Sequence, residues 1–184
     1  RDATCQPLGT VLCNIETRQP HVAIVTKEAR VAKVEFNATK HRMGGRDVYS
    51  FTVPLAQLST LAPVPDPEQP FPGNRRVNPK HAQLFGRYIR ETFTWVAPPI
   101  LLRVSERAVT FTPEASKSDG VTRGKVTIDT GSTPGQNVGI IDGQHRVFGI
   151  HHTFEKLEAD RENAEVQQME MIDEVMNRLQ QESI

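Results

Sequence analysis

Apolar residues recur along this chain with two periods, about two in some stretches and between three and four in others. The changes of period mark its elements. HVAIVT (21–26) reads as a strand, VAKVEFN (31–37) alternates as a second, and VYSFTV (48–53) is β-branched and aromatic as a third. Between the last two, KHRMGGRD (40–47) is a Gly-Gly turn set among Lys and Arg. Pro54 stands where a first helical turn starts, and LAQLSTL after it has helical spacing. The five prolines of APVPDPEQPFPG (62–73) forbid regular pairing and predict a loop. Asn78 and Pro79 then suit the N-cap and first position of a helix with Phe85, Ile89 and Phe93 on one stripe.

PPILLRV (98–104) is a continuous apolar run, as expected of a buried strand. AVTFT (108–112) and KVTID (125–129) alternate on either side of a polar loop, which predicts a small antiparallel excursion. NVGIID (137–142) is another buried strand. From Val147, the positions Phe148, His151, Phe154 and Leu157 predict a helix, and Val166, Met169, Ile172, Val175, Met176 and Leu179 continue helical spacing. That region is either one long helix or two with a break near Asn163. Strands and helices interleave irregularly, which favours an α+β domain over a doubly wound sheet.

Composition narrows the class. At 184 residues the chain holds one substantial domain, or one with an appended element. It has no apolar run of about 18 residues, so no membrane span is expected. It lacks an initiator Met and a signal peptide, so we expect it to begin at a processing or cloning boundary. Cys5 and Cys13, with seven residues between them, complete no zinc pattern and read as reduced thiols of a cytoplasmic protein. The motifs G-x-S-x-G, H-E-x-x-H and G-x-x-x-x-G-K-[ST] are absent.

The net charge of zero conceals an asymmetry: residues 1–154 carry 19 Lys and Arg against 13 Asp and Glu, while 155–184 carry 3 against 9. Arg75, Arg76, Lys80, Arg87 and Arg90 follow one another without an intervening acid, and are either nucleic-acid or phosphate contacts or a solvated helix face. Lys27, Arg30, Lys33, Lys40, Arg42 and Arg46 form a second basic group that includes Glu28 and Glu35, either a DNA-facing hairpin or solvated strands. Trp95 and Tyr88 can stack on bases, although aromatics beside a Pro-Pro strand more often fill a core.

The most concentrated chemistry is VGIIDGQHRVFGI (138–150). If a strand ends at Ile141 and a helix starts after Gly143, the first N–H groups of that helix form an anion site backed by its dipole. Gly143 permits a positive φ and close approach of a ligand. Arg146 offers a forked donor for phosphate, His145 a donor or an acid/base group, and Gln144 both donor and acceptor. Asp142 can cap the turn or hold Mg²⁺ or a ribose hydroxyl. The competing reading is a capped turn, with Asp142 satisfying N–H groups, His145 half buried and Arg146 paired with an acid. His145 and His152, two helical turns apart, are too distant to share one tetrahedral metal ion.

The pentapeptide DGQHR (142–146) resembles the signature of the DGQHR-domain family, which includes the DndB-like proteins associated with DNA phosphorothioation and related phage-defence systems. DVYSFTVPLAQLSTLAPV and NRRVNPKHAQLFGRYIRETFTWVAPPILLRV are also similar to that family, so the resemblance covers about residues 48–157. Through it the chain is distantly similar to the ParB/sulfiredoxin-like fold, a mixed sheet with packed helices. The resemblance divides the chain into a domain at 1–157 and an acidic amphipathic helical segment at 158–184. Related proteins continue beyond such a segment, so a further C-terminal part is expected.

On that analogy Asp142, Gly143, Gln144, His145 and Arg146 would bind a phosphate or nucleotide, with Arg75, Arg76, Lys80 and Arg87 as further phosphate contacts. No Cys lies in the turn, which removes sulfiredoxin chemistry. The implied function is a DNA-binding regulator or accessory protein of a DNA-modification system, with DNA and other modification proteins as partners. The alternative is a nucleotide-dependent switch using ATP or CTP with Mg²⁺, in which Asp142 and His145 would be catalytic. A structural reading also stands, in which the 166–179 stripe pairs with itself or with a partner.

Overall fold

The computed structural model describes residues 33–70, 73–118 and 120–184. The strand expected at 21–26, both cysteines, Lys27 and Arg30 lie outside them. β1 (Lys33–Met43) buries Phe36 and Ala38 on one face and exposes Glu35 and Asn37 on the other. Gly44 and Gly45, with φ of 55° and 79°, turn it into the antiparallel β2 (Arg46–Phe51). The strand is thus longer than the 31–37 alternation, and the turn shrinks to the two residues that need positive φ.

β4 (Val109–Ser118) and β5 (Val121–Asp129) form a second hairpin, and β5 pairs with β1 to give a four-stranded sheet of order β2-β1-β5-β4. The expected small excursion is therefore half of the main sheet. Pro113 sits beside a register shift in the edge strand β4, where a missing N–H is tolerated.

A separate two-stranded sheet joins β3 (Leu101–Val104) to β6 (Val138–Asp142). Only four residues of PPILLRV pair, and Leu101 is 52% exposed, so the continuous buried strand is not found. Every pairing among the described residues is antiparallel. The α+β class holds, but two antiparallel sheets replace the single mixed one, because tight turns join β1 to β2 and β4 to β5.

Pro54 precedes a 3-10 turn (Leu55–Gln57) that runs into α1 (Leu58–Leu61). α2 (Pro79–Glu91) is capped by the Asn78 side chain, which accepts from the His81 N–H at 3.3 Å. It buries Ala82, Gly86 and Ile89, while Phe93 lies beyond its end, exposed beneath the Arg178 guanidinium. α3 (Gln144–Glu162) begins directly after Gly143, three residues before the apolar spacing shows it. A break follows at Asn163, and α4 (Val166–Gln181) starts with a capping box of Glu165 and Gln168. Of the two alternatives for this region, the pair of helices is the one that forms. Val166 is exposed, and the buried stripe of α4 is its C-terminal half, ending in the fully buried Leu179.

One core joins these parts: Phe36, Ala38, Val126 and Ile128 of the sheet, Val138 and Ile140 of β6, and Leu58, Ile89, Val147, Ile150, Leu157 and Leu179 of the helices. α3 runs without interruption through residue 157. The chain end is tied back by two backbone hydrogen bonds between Val53 and Ile184, at 2.8 and 2.9 Å. Among the described residues no helix is long and apolar enough to cross a membrane.

Candidate functional site

α2 and α3 run parallel. His145 meets Asn78, Gly149 meets Ala82, and Thr153 meets Gly86, so contacts advance together along both helices. A Cβ on Gly86 would collide with the Thr153 hydroxyl and the Gly149 carbonyl, and one on Gly149 with the Ala82 carbonyl. Two glycines thus let the backbones touch. The consequence is that both positive helix ends lie side by side, at Asn78 and at Gly143.

The turn itself follows from Gly143, whose φ of 97° is left-handed territory that side chains avoid. The α3 N-terminus has no side-chain cap, and the N–H groups of residues 144–146 have no intrahelical acceptor. Asp142 accepts from the Gly143 N–H and from Arg146 Nη2 at 3.0 Å. The Arg146 hydrogen bond, then that of Gly143, holds its carboxyl below the usual range, with Arg75 adding a smaller attraction. The Arg146 guanidinium lies against Gly143 and also donates to the Pro99 carbonyl at 3.1 Å. Its Nε is buried with no acceptor among the described residues.

Gln144 and His145 face the other way, into the segment before α2. Gln144 Nε2 donates to the Arg75 carbonyl at 2.8 Å, and His145 Nε2 accepts from the Asn78 N–H at 3.0 Å. Asn74 Nδ2 completes the clasp by donating to the Ile140 carbonyl at 2.7 Å. An accepting Nε2 requires the proton of a neutral ring to be on Nδ1. Burial first, then the nearby His81, Arg75 and Arg146, pushes the His145 pKa down. Both the accepted hydrogen bond and the lowered pKa favour the neutral form of the ring. These contacts hold residues 74–78 beside the turn.

What the clasp positions is basic. Arg75, Arg76, Lys80 and Arg87 are all exposed, and among the described residues no carboxylate pairs with any of them. Arg90 is half-buried and paired with Glu91 at 3.1 Å. The second basic group behaves differently: Lys40 pairs with Asp47 at 2.8 Å and lies over the Tyr49 and Phe111 rings, while Arg42 donates to the Gly45 carbonyl. Tyr88 and Trp95 serve the fold. The Tyr88 hydroxyl accepts from the Val96 N–H, and Trp95 Nε1 donates to Glu182 at 2.6 Å. His151 pairs with Glu155, His152 contacts Gln83, and the described residues contain no group of three or more His, Cys, Asp or Glu placed to hold a metal ion.

Sequence reasoning missed Asn74, whose partner is 66 positions away and leaves no local signal. It also missed that Lys156 and His152 of α3 stand beside Arg87 of α2. Comparison with known proteins gives one family. Residues 36–182 match the model of DndB, described as DNA-sulfur modification-associated. No curated protein and no solved structure matches the chain.

Proposed function

The chain belongs to the DndB family of DNA-sulfur modification-associated proteins, and on that premise we propose that it is a DNA-binding regulator or accessory protein of a DNA-modification and phage-defence system. It would act in the cytoplasm beside other modification proteins, as a monomer or as a homo-oligomer. One observation carries this reading: Arg75, Arg76 and Lys80, which have no carboxylate partner among the described residues, lie where two helix N-termini converge, and the exposed Arg87 follows Lys80 two turns along α2. Cations and positive helix ends there reinforce each other toward phosphate oxygens. In this reading residues 142–146 act mainly by holding that surface, and Arg75, Arg76, Lys80 and Arg87 make the phosphate contacts.

The test is binding of duplex DNA to the intact chain across a salt series. Affinity should fall steeply with salt, and Arg75→Gln with Arg76→Gln should lower the log–log slope by about two. Absence of binding by a folded chain removes this reading.

A second reading is a nucleotide-dependent switch. It is favoured by the mostly exposed Asp142 carboxylate and by the Arg146 Nε, which has no acceptor among the described residues, beside the uncapped N-terminus of α3. There Asp142 would hold Mg²⁺ or orient water, Gly143 would admit the phosphate of ATP or CTP, Arg146 would offset its charge, and His145 would have only Nδ1 free for proton transfer. Calorimetric titration with each nucleotide and Mg²⁺, beside Asp142→Asn and Arg146→Ala, tests it. Saturable binding that both variants lose supports it, and no binding by the folded chain rejects it.

A further inference from the structure

Past the crossing of Gly86 and Gly149, α2 and α3 leave a cleft of about 190 Å³ between them. Gln83, Arg87 and Arg90 line it from α2, and His152 and Lys156 from α3. No acid lines it, although 155–184 is the acidic part of the chain. Arg90 has Glu91 as its partner outside the cleft, while Arg87 and Lys156 have no carboxylate partner among the described residues. Gln83 Nε2 and His152 Nε2 stand 3.3 Å apart, so the two helices share a polar rim.

Like charges that line one cleft repel one another, and an anion bound between Arg87 and Lys156 relieves that repulsion. The cleft also continues a line. Lys80, Gln83, Arg87 and Arg90 recur at helical spacing on one flank of α2. Ten residues of helix from Lys80 to Arg90 span about 15 Å, the length of several phosphates along one DNA strand. A single small anion would use only the cleft, whereas a phosphodiester backbone would use the whole line.

We infer that the α2–α3 cleft is a phosphate-binding site, separate from the turn at Gly143, that takes a backbone phosphate of DNA between Arg87 and Lys156. The inference rests on the DNA-binding reading above. A free nucleotide carries the same phosphate chemistry, and the experiment separates the two sources.

The intact chain and the double variant Arg87→Gln/Lys156→Gln are titrated with duplex DNA across a salt series, and separately with inorganic phosphate and with ATP. Both residues are exposed, so the variant should fold, which circular dichroism and the urea midpoint verify. The control Arg103→Gln/Arg107→Gln removes the same charge from other exposed positions. For DNA, the cleft variant should lose about tenfold in affinity and about one unit of salt slope, with the control unchanged. If the parent binds DNA and the cleft variant matches it, the cleft site is wrong and the DNA-binding reading survives. If the parent binds phosphate or ATP but not DNA, and the cleft variant loses that binding, the phosphate site holds with a free nucleotide as its source and the DNA reading falls. If the folded parent binds none of the three, both fail.

Discussion

His145 Nε2 accepts the backbone N–H of Asn78 at 3.0 Å, so the ring at the start of one helix satisfies the residue that caps the next. The bond needs a ring nitrogen without a proton. Burial, then the neighbouring His81, Arg75 and Arg146, lowers the His145 pKa below its usual value near 6.5. The folded chain therefore takes up that proton less readily than the unfolded chain. Stability from this group is complete above about 6.5 and is lost as pH falls through the lowered folded value. We expect the urea midpoint to drop from pH 7.5 to pH 5, and the drop to be smaller in His145→Gln, whose amide oxygen can accept from Asn78 without titrating. Equal drops in both proteins would assign the pH dependence to other groups.

The glycine crossing makes a prediction whose sign is informative. On an open helix face, Gly149→Ala should stabilise by up to about 1 kcal/mol through helix propensity. Here the new Cβ meets the Ala82 carbonyl, so the helices must part. Net destabilisation of about 1–3 kcal/mol is expected from denaturant unfolding. Stabilisation would mean that α2 and α3 do not pack through backbone contact.

At Gly143 the obstacle is conformational as well as steric. Its φ of 97° strains any side chain, and a Cβ would stand 3.0 Å from both Arg146 Nη2 and Ile100 Cγ1. Gly143→Ala should cost about 1–3 kcal/mol. It should also weaken DNA binding even where the chain remains folded, since the displaced turn no longer holds residues 74–78. Unchanged binding in a folded variant would separate the turn from the basic surface.

Arg178 links α4 to α2. Its Nη2 donates to the Ile89 and Arg90 carbonyls at 3.0 and 2.7 Å, and its Nη1 pairs with Glu182, a partner that is itself largely covered. Removing the guanidinium leaves helix-end carbonyls and a carboxylate short of donors. Arg178→Met should lower unfolding free energy by about 2–4 kcal/mol, and thermal unfolding should stay a single transition if α4 shares the core. A separate early transition would instead mark 158–184 as an independent segment.

Local chemistry accounts for much of this molecule. Asn78 and Pro79 announce α2, the Gly-Gly pair announces the β1–β2 turn, and Gly143 announces the handover from β6 to α3. Each is read directly because the physical requirement, a cap, a missing N–H or a positive φ, lies within a few residues of the signal. The amino-acid pattern alone also places DGQHR at a strand–helix junction and separates a basic body from an acidic end.

Which way the five residues of that motif face is a different kind of question. Gln144 and His145 reach Arg75 and Asn78 across 69 and 67 positions, and Arg146 reaches Pro99 across 47. A pattern with a period of two or of nearly four carries no information about partners that far apart. Only the packing of α2 beside α3 brings Gln144 and His145 against the segment before α2. For the same reason the basic line along α2 needed the tertiary structure to gain Lys156, a residue from the acidic part of the sequence. Helix spacing says which side chains share a face, and backbone contact at Gly86 and Gly149 decides which face it meets.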